Sequence, residues 1–156
     1  MENREIERKW LLKKIPDKLE QYECLEIEQA YLSSSPTVRV RKENDEYYLT
    51  YKGSKRWEGN NEISHTEYNL PLDKESYEHL KEKRDGNLIS KKRYVIPIEN
   101  GLKIELDIFD PPIAPLVVAE VEFESEEEAR AFKAPDWFGE DVSSEYKYKN
   151  SYLATH

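Results

Sequence analysis

The first charged segment of the chain places three ionisable side chains at alternating positions. Glu5, Glu7 and Lys9 stand in the run Glu5-Ile6-Glu7-Arg8-Lys9. In a β-strand this spacing puts the two carboxylates and the ammonium on one face, with Ile6 on the other. Hard divalent cations prefer carboxylate oxygens, and an ammonium is a compact point charge for an anion. The segment therefore has the residue types of a site for metal ions and phosphate.

The same alternation recurs in five later segments, each interleaved with apolar residues. The basic faces carry Arg39 and Arg41, then Thr50 and Lys52, then Lys91 and Arg93, whereas the acidic faces carry Glu105 and Asp107, then Glu120, Glu122 and Glu124. An ordinary protein surface mixes both signs of charge. Whole strand faces of one sign therefore suggest a site with an acidic wall and a basic wall.

Two arrangements satisfy this pattern. In an open antiparallel sheet the charges face water and the apolar side covers a core, which is the commoner arrangement for any one such strand. In a closed barrel the ionic faces line the interior, closure removes the sheet edges, and helices cover the apolar outside. Since burying so many charges in a dry interior is prohibitive, the lumen would hold water, divalent cations and an anion. A polyphosphate with bound metal satisfies both walls.

Composition limits the class of protein. The 156 residues predict one domain spanning 1–156, and eleven Tyr and three Trp argue against disorder. The net charge of -9 disfavours nucleic acid and anionic membranes as partners. The single Cys24 excludes an internal disulfide, and we recognise neither a signal segment nor a membrane-length apolar run. These features predict a cytoplasmic location.

The predicted secondary structure is about eight strands with two or three helices, an α+β fold that is mainly antiparallel β. Asp73 predicts the start of a helix of about a dozen residues that ends at Gly86, and Ser125 with Glu128 forms a capping box. The other predicted elements are a helix over 15–21, a helical turn or two over 146–154, a proline-rich loop at 111–115, and a polar loop over 53–63 that holds Lys55, Arg56 and Trp57.

Nearly the whole chain resembles the CYTH domain family, also called triphosphate tunnel metalloenzymes. The family's Glu-x-Glu-x-Lys opening resembles Glu5, Glu7 and Lys9. The other matching elements follow in the family's order: Gln29-Ala30-Tyr31-Leu32, Arg39-Val40-Arg41, Lys52-Gly53, Lys91-Lys92-Arg93-Tyr94, Glu105-Leu106-Asp107-Ile108-Phe109, Ala119-Glu120-Val121-Glu122 and Tyr148-Lys149-Asn150-Ser151. One motif alone is a weak match, whereas the ordered set is specific.

Three positions depart from the family pattern. His65 stands where Arg is common, Asn69 where a second acid is common, and Lys147 where Arg is frequent. Because lysine cannot reproduce the forked contact of a guanidinium, these departures bear on substrate preference. They leave the metal and phosphate sets largely intact.

The resemblance implies an eight-stranded antiparallel tunnel that hydrolyses triphosphates with Mg²⁺ or Mn²⁺, with room for two ions. The implied metal ligands are Glu5, Glu7, Asp107, Glu120 and Glu122. The implied phosphate-binding residues are Lys9, Arg39, Arg41, Lys52, Lys91 and Arg93, with Tyr31 either donating to a phosphate or packing. Lys9 or Lys91 is the candidate for activating the attacking water.

Inorganic triphosphate or a nucleoside triphosphate is the expected substrate. The alternatives are a class IV adenylate cyclase, a thiamine triphosphatase and a non-catalytic binder of polyphosphate. A homodimer formed through an outer strand or helix stays open.

Overall fold

Antiparallel strands make up most of the molecule. The computed structural model describes residues 4–54, 60–61 and 63–156, so Lys55, Arg56 and Trp57 of the predicted polar loop lie outside the described residues. The described strands are β1 (Arg4–Leu12), β2 (Glu23–Ser34), β3 (Thr37–Glu43), β4 (Glu46–Lys52), β5 (Ser64–Leu72), β6 (Asp85–Pro97), β7 (Lys103–Phe109), β8 (Val117–Glu122) and β9 (Phe138–Asp141). The described helices are α1 (Lys74–Lys81), α2 (Glu126–Ala131) and α3 (Asn150–Thr155).

Eight of these strands close into a barrel. Their order is β5-β4-β3-β2-β6-β7-β8-β1, and the pairing of β1 with β5 closes the ring. All the pairings are antiparallel. The predicted eight-stranded barrel is therefore confirmed. The short strand β9 is an additional strand that was not predicted. It pairs with the C-terminal end of β1, beyond the residues of β1 that pair with β5.

The apolar faces of the strands point outward, as the barrel arrangement requires. Over β1, β7 and β8, the residues Trp10, Leu106 and Val121 are buried together with Ala129 of α2 and Phe138 of β9. Over β2 and β3, Tyr77 of α1 covers Ala30 and Val40. These clusters leave the charged faces directed into the lumen, so the open-sheet arrangement is excluded.

Helix α3 closes one end of the barrel. Ala154 packs against Tyr31, Ile89, Phe109 and Val118. Each of these four stands two residues from a polar lumen residue on its strand, and alternate residues of a strand share a face. They therefore lie inside the barrel wall, and the lumen becomes a blind cavity.

The contact between α3 and β6 depends on Gly86. Its φ of +71° is in the left-handed region, and a Cβ there would overlap the carbonyl oxygen of Ala154. We expect Gly86→Ala to cost about 1–2 kcal/mol for the backbone conformation and about 1–3 kcal/mol more for overpacking. Urea unfolding measures the loss. The control is Gly101→Ala, where φ is +73° and no atom lies within 4 Å, so equal losses at the two sites would contradict this role for α3.

Two predicted helices differ from the structure. Helix α1 begins after Asp73, whose carboxylate accepts from the Ser76 amide at 2.7 Å, but it ends eight residues later instead of reaching Gly86. The residues that follow Leu80 are all charged up to Gly86, so the buried apolar face of α1 cannot continue. The helix over 15–21 is wrong except for a 3-10 turn at Leu19–Gln21, which contains no buried residue.

The remaining helix predictions are confirmed. Ser125 accepts from the Glu128 amide at 3.0 Å and starts α2. The tail forms a 3-10 turn at Tyr146–Tyr148 followed by α3. Within the described part of the chain, every helix is too short and too polar to cross a bilayer.

Candidate functional site

The barrel encloses a polar cavity of about 470 Å³ beneath α3. Alternation along each strand directs the predicted site residues into it. Those that line it are Glu5, Glu7, Lys9, Tyr31, Arg39, Arg41, Lys52, Lys91, Arg93, Glu120 and Glu122. Six strands of the barrel contribute to this set, so side chains far apart in sequence meet in one cavity.

Carboxylates crowd one side of the cavity. The barrel register sets Glu7 opposite Glu122, and Glu105 opposite Glu120. Burial, followed by the charges of Glu120 and Glu5, raises the pKa of Glu7 well above its usual value. Partial burial, followed by repulsion from Glu5, Glu105 and Glu67, raises the pKa of Glu122 to about 7. The carboxyl groups on this side therefore repel one another when ionised by more than the neighbouring cations compensate.

Two of the carboxylates stay ionised because a cation faces them. Burial opposes ionisation of Glu5, but the Lys52 ammonium at 2.6 Å outweighs it and lowers the pKa of Glu5 to about 2. Burial likewise opposes ionisation of Glu120, and Lys9 and Arg93 together lower its pKa well below the usual value.

The basic residues gather mainly around β3 and β6. Arg41 is 6% exposed, and its Nε donates to the Gln29 side-chain oxygen at 2.8 Å. Arg39 donates from Nη2 to Thr50 at 3.1 Å, whereas its buried Nε makes no hydrogen bond among the described residues. An unsatisfied guanidinium donor in a wet cavity is suited to an anionic ligand.

Lys91 is the most deeply buried cation of the site, at 1% exposure. Its Nζ donates to Asp107 at 2.7 Å and to the Asn150 carboxamide oxygen at 3.0 Å. Burial lowers its pKa to about 7 against the opposing pull of Asp107, and the neighbouring charges of Arg93 and Arg41 add to the lowering. Lys91 can therefore be neutral near physiological pH. Lys9, the other candidate, donates from Nζ to the Tyr148 carbonyl at 3.0 Å.

Asp107 is fully buried on the inner face of β7 and is not among the residues that line the cavity. Arg93 donates to its two oxygens at 2.7 and 2.9 Å, and Lys91 lies 2.7 Å from one of them. Arg93 also reaches Glu105 at 3.3 Å and Glu120 at 3.6 Å. The acidic and basic sets are therefore joined by ion pairs and do not form two separate walls.

The three departures from the family pattern fall in different places. His65 and Asn69 line the cavity on β5, where Asn69 donates to Glu67 at 3.0 Å and accepts from Thr50 at 2.6 Å. Lys147 lies outside the cavity lining, with its Nζ 5.3 Å from the centre of the Tyr148 ring. The two cavity positions are thus the ones placed to affect what binds.

Several cavity residues were absent from the predicted set. They are Thr37, Glu43, Tyr48, His65, Glu67, Asn69, Glu105, Val142, Ser143, Glu145, Lys149, Asn150 and Ser151. Alternation along the strand puts Glu105 on the same face as Asp107, so Glu105 could have been predicted from the sequence. The C-terminal residues gave no such signal, because they line the cavity from a helix and a loop and not from a strand.

The carboxylate oxygens of the cavity suit hard divalent cations, although these side chains do not converge on one point as ligands around an ion would. Residues 4–54, 60–61 and 63–156 contain no group of three His, Cys, Asp or Glu side chains that already converges on one point. The raised pKa values of Glu7 and Glu122 show mutual repulsion that a bound cation would relieve. Glu5, Glu7, Glu120 and Glu122 are oxygen donors of the kind that Mg²⁺ and Mn²⁺ prefer.

This repulsion predicts how stability depends on pH when metal is removed. Glu7 and Glu122 have raised pKa values, so between about pH 5 and 7 the folded protein binds more protons than the unfolded chain. In EDTA the melting temperature should therefore fall as pH rises through this window. Mg²⁺ or Mn²⁺ should raise it more at pH 7 than at pH 5, because carboxylates bind metal when deprotonated.

Thermal unfolding at a series of pH values with EDTA or metal measures this effect. The pH range for this test ends near pH 7. Above that pH the lowered pKa of Lys91 makes stability rise with pH, which opposes the effect of the carboxyl groups. A melting temperature in EDTA that rises steadily from pH 5 to 7 would contradict the carboxylate assignment.

Comparisons with known proteins agree with this architecture. The CYTH domain model matches residues 3–154. An inorganic triphosphatase of Nitrosomonas europaea is 37% identical over 153 residues, which is 96% of each chain, and one of Acetivibrio thermocellus is 37% identical over 79% of this chain and 74% of that one. The crystal structure of an inorganic triphosphatase superimposes with a TM-score of 0.68 at 35% identity, covering 97% of this chain and 95% of that one. The barrel, the ordered motifs and the matched length together place the chain in the CYTH domain family.

Proposed function

We propose that this protein is a divalent-metal-dependent hydrolase of inorganic triphosphate. The observation that carries the proposal is a single blind cavity in which crowded carboxylates face arginine and lysine side chains. A metal-bound polyphosphate is a ligand that matches both sets of charge. The similarity to two inorganic triphosphatases supports the same substrate.

The basic residues would hold the phosphoryl oxygens. Arg39 and Arg41 stand two residues apart on β3 and have forked guanidinium groups suited to phosphate. Lys9, Lys52, Lys91 and Arg93 add charge around the same cavity, and we assign the Tyr31 hydroxyl, which also lines it, to donating to a phosphate. Phosphoryl transfer requires mainly positioning and neutralisation of charge, which this arrangement supplies.

The proposed metal ligands are Glu5, Glu7, Glu120 and Glu122, with Mg²⁺ or Mn²⁺ as the ion and two ions as the expected number. Bound ions supply charge neutralisation of the phosphate and acidification of a bound water. Asp107 belonged to the ligand set expected from the sequence. Since its two oxygens are engaged by Arg93 and Lys91, we assign it to holding those cations in place.

Lys91 is the better of the two candidates for activating water. Its lowered pKa, to about 7, lets the neutral amine accept a proton near neutral pH. Its contacts with Asp107 and Asn150 fix the nitrogen at the cavity wall. In this scheme Lys9 binds substrate next to Glu120.

Phosphate release from tripolyphosphate, ATP and thiamine triphosphate, each with Mg²⁺, Mn²⁺ or EDTA, tests the proposal. We expect metal-dependent release that is fastest with tripolyphosphate, because a barrel closed at one end by α3 leaves less room for a nucleoside than a barrel open at both ends would. Cyclic AMP formation would favour the cyclase alternative. Faster release from thiamine triphosphate would favour a thiamine triphosphatase, and tight binding without release would favour a polyphosphate binder. Any of these three results would overturn the proposal.

A further inference from the structure

A chain of hydrogen bonds connects two cations of the cavity through two amide side chains. Arg41 Nε donates to the Gln29 oxygen at 2.8 Å, and Gln29 Nε2 donates to the Asn150 oxygen at 3.1 Å. Lys91 Nζ donates to that same Asn150 oxygen at 3.0 Å. The chain therefore runs across β3, β2, the start of α3 and β6.

The residues at its two ends fix the direction of every bond. A guanidinium can only donate, so the Gln29 atom that faces Arg41 must be its oxygen. Lys91 Nζ and the Gln29 amide nitrogen, which can only donate, reach the same Asn150 atom, so that atom must be the Asn150 oxygen. The Gln29 amide nitrogen is then left to face Asn150 and the Tyr31 hydroxyl, which it reaches at 3.1 Å. Neither amide can flip without placing two donors against each other.

The chain constrains the cations in a way that matters for an anion. Because Arg41 Nε is bound to Gln29, the contact with the cavity falls to its terminal nitrogens, of which Nη1 lies 3.8 Å from the Glu43 carboxylate in the same lining. Gln29 is completely buried, so water does not replace its bond when the amide is lost. Asn150 adds a second contact to Lys91 besides Asp107, and therefore restricts the rotation of the ammonium.

We propose that Gln29 and Asn150 are positioning residues that act as one unit to orient Arg41 and Lys91 toward the bound triphosphate. This rests on the proposed function and assigns a role to two residues that do not themselves belong to the charged sets. It also gives α3 a part in the site, because Asn150 is the first residue of that helix.

Tripolyphosphate binding by calorimetry in EDTA, with folded wild-type and variant proteins, tests this role without requiring turnover. We expect Gln29→Leu and Asn150→Ala each to raise the Kd about 10-fold, the size of effect typical of losing one hydrogen bond to a charged group. The double variant should bind no more weakly than the weaker single variant, because either change breaks the same chain. With metal present, the same variants should show a matching rise in KM.

Thr155→Ala is the matched control, since the described contacts of its hydroxyl stay at the C-terminal end of the chain, with the Ser151 and Tyr152 carbonyls and with His156 Nδ1. It should lower the melting temperature slightly and leave the Kd unchanged. If Asn150→Ala does not fold, the Kd of Gln29→Leu, whose substitution is on β2, tests the inference by itself. Wild-type binding by Gln29→Leu, or losses that multiply in the double variant, would overturn the inference. Wild-type protein that binds tripolyphosphate but releases no phosphate would overturn only the proposed function.

Discussion

Glu7→Gln should lower the rate of phosphate release from tripolyphosphate by about 10³-fold or more, since metal-assisted charge stabilisation is worth several kcal/mol. Glu7 stands opposite Glu122 and close to Glu5 and Glu120, at the centre of the carboxylate group. Glutamine keeps the shape of the side chain but removes the charge that would bind the cation. Steady-state phosphate release over a range of Mg²⁺ and Mn²⁺ concentrations measures the effect.

A second readout separates metal binding from folding. Burial and the neighbouring carboxylates make the ionised form of Glu7 unfavourable in the folded protein, so Glu7→Gln should be at least as stable as the wild type in EDTA. The variant should gain less stability from added metal than the wild type does. The control is Glu140→Gln, an exposed residue of β9 outside the cavity lining, which should behave as the wild type. Full activity of Glu7→Gln at ordinary metal concentrations would show that the ligand assignment is wrong.

Asp107→Asn should lower the free energy of unfolding by about 3–5 kcal/mol, the loss typical when one partner of a buried ion pair is removed. The change leaves Lys91 and Arg93 buried with their main anionic partner gone. Urea unfolding of the two proteins measures the loss. Added tripolyphosphate should restore part of it, because the ligand supplies negative charge to the same cations.

Asp110→Asn serves as the control for Asp107→Asn. Asp110 follows the same strand, but its partner is the neutral Ser90 hydroxyl at 2.6 Å, an exposed contact that asparagine can still accept. We therefore expect a much smaller loss. Equal losses in the two variants would show that Asp107 does not anchor the buried cations.

Alternation made the barrel wall predictable from the sequence. Arg39 and Arg41, or Glu120 and Glu122, must share a strand face whatever the fold, because the side-chain period of a strand is two. Once apolar residues such as Val40 and Val121 were assigned to the outside, the charged residues had to face inward. Alternation alone was compatible with an open sheet or a closed barrel, and the resemblance to the family predicted the closed barrel.

Contacts that depend on three-dimensional proximity could not be predicted in the same way. No local pattern shows that Asp107 is buried and held by Lys91 and Arg93, since its spacing from Glu105 matches that of a ligand exposed to the cavity. Strand β9 has only four residues, too few for a reliable alternation, and its pairing is with the distant β1. Asn150 enters the site because α3 closes the barrel, which is a packing result with no sequence periodicity.

The most direct test of the account is a crystal structure with Mn²⁺ and tripolyphosphate, in which anomalous scattering locates the metal. We predict Mn²⁺ inside the barrel, coordinated by Glu5, Glu7, Glu120 or Glu122, with phosphate oxygens in contact with Arg39 and Arg41. Manganese and phosphate bound outside the barrel, with the lumen carboxylates still paired only to protein cations, would contradict it.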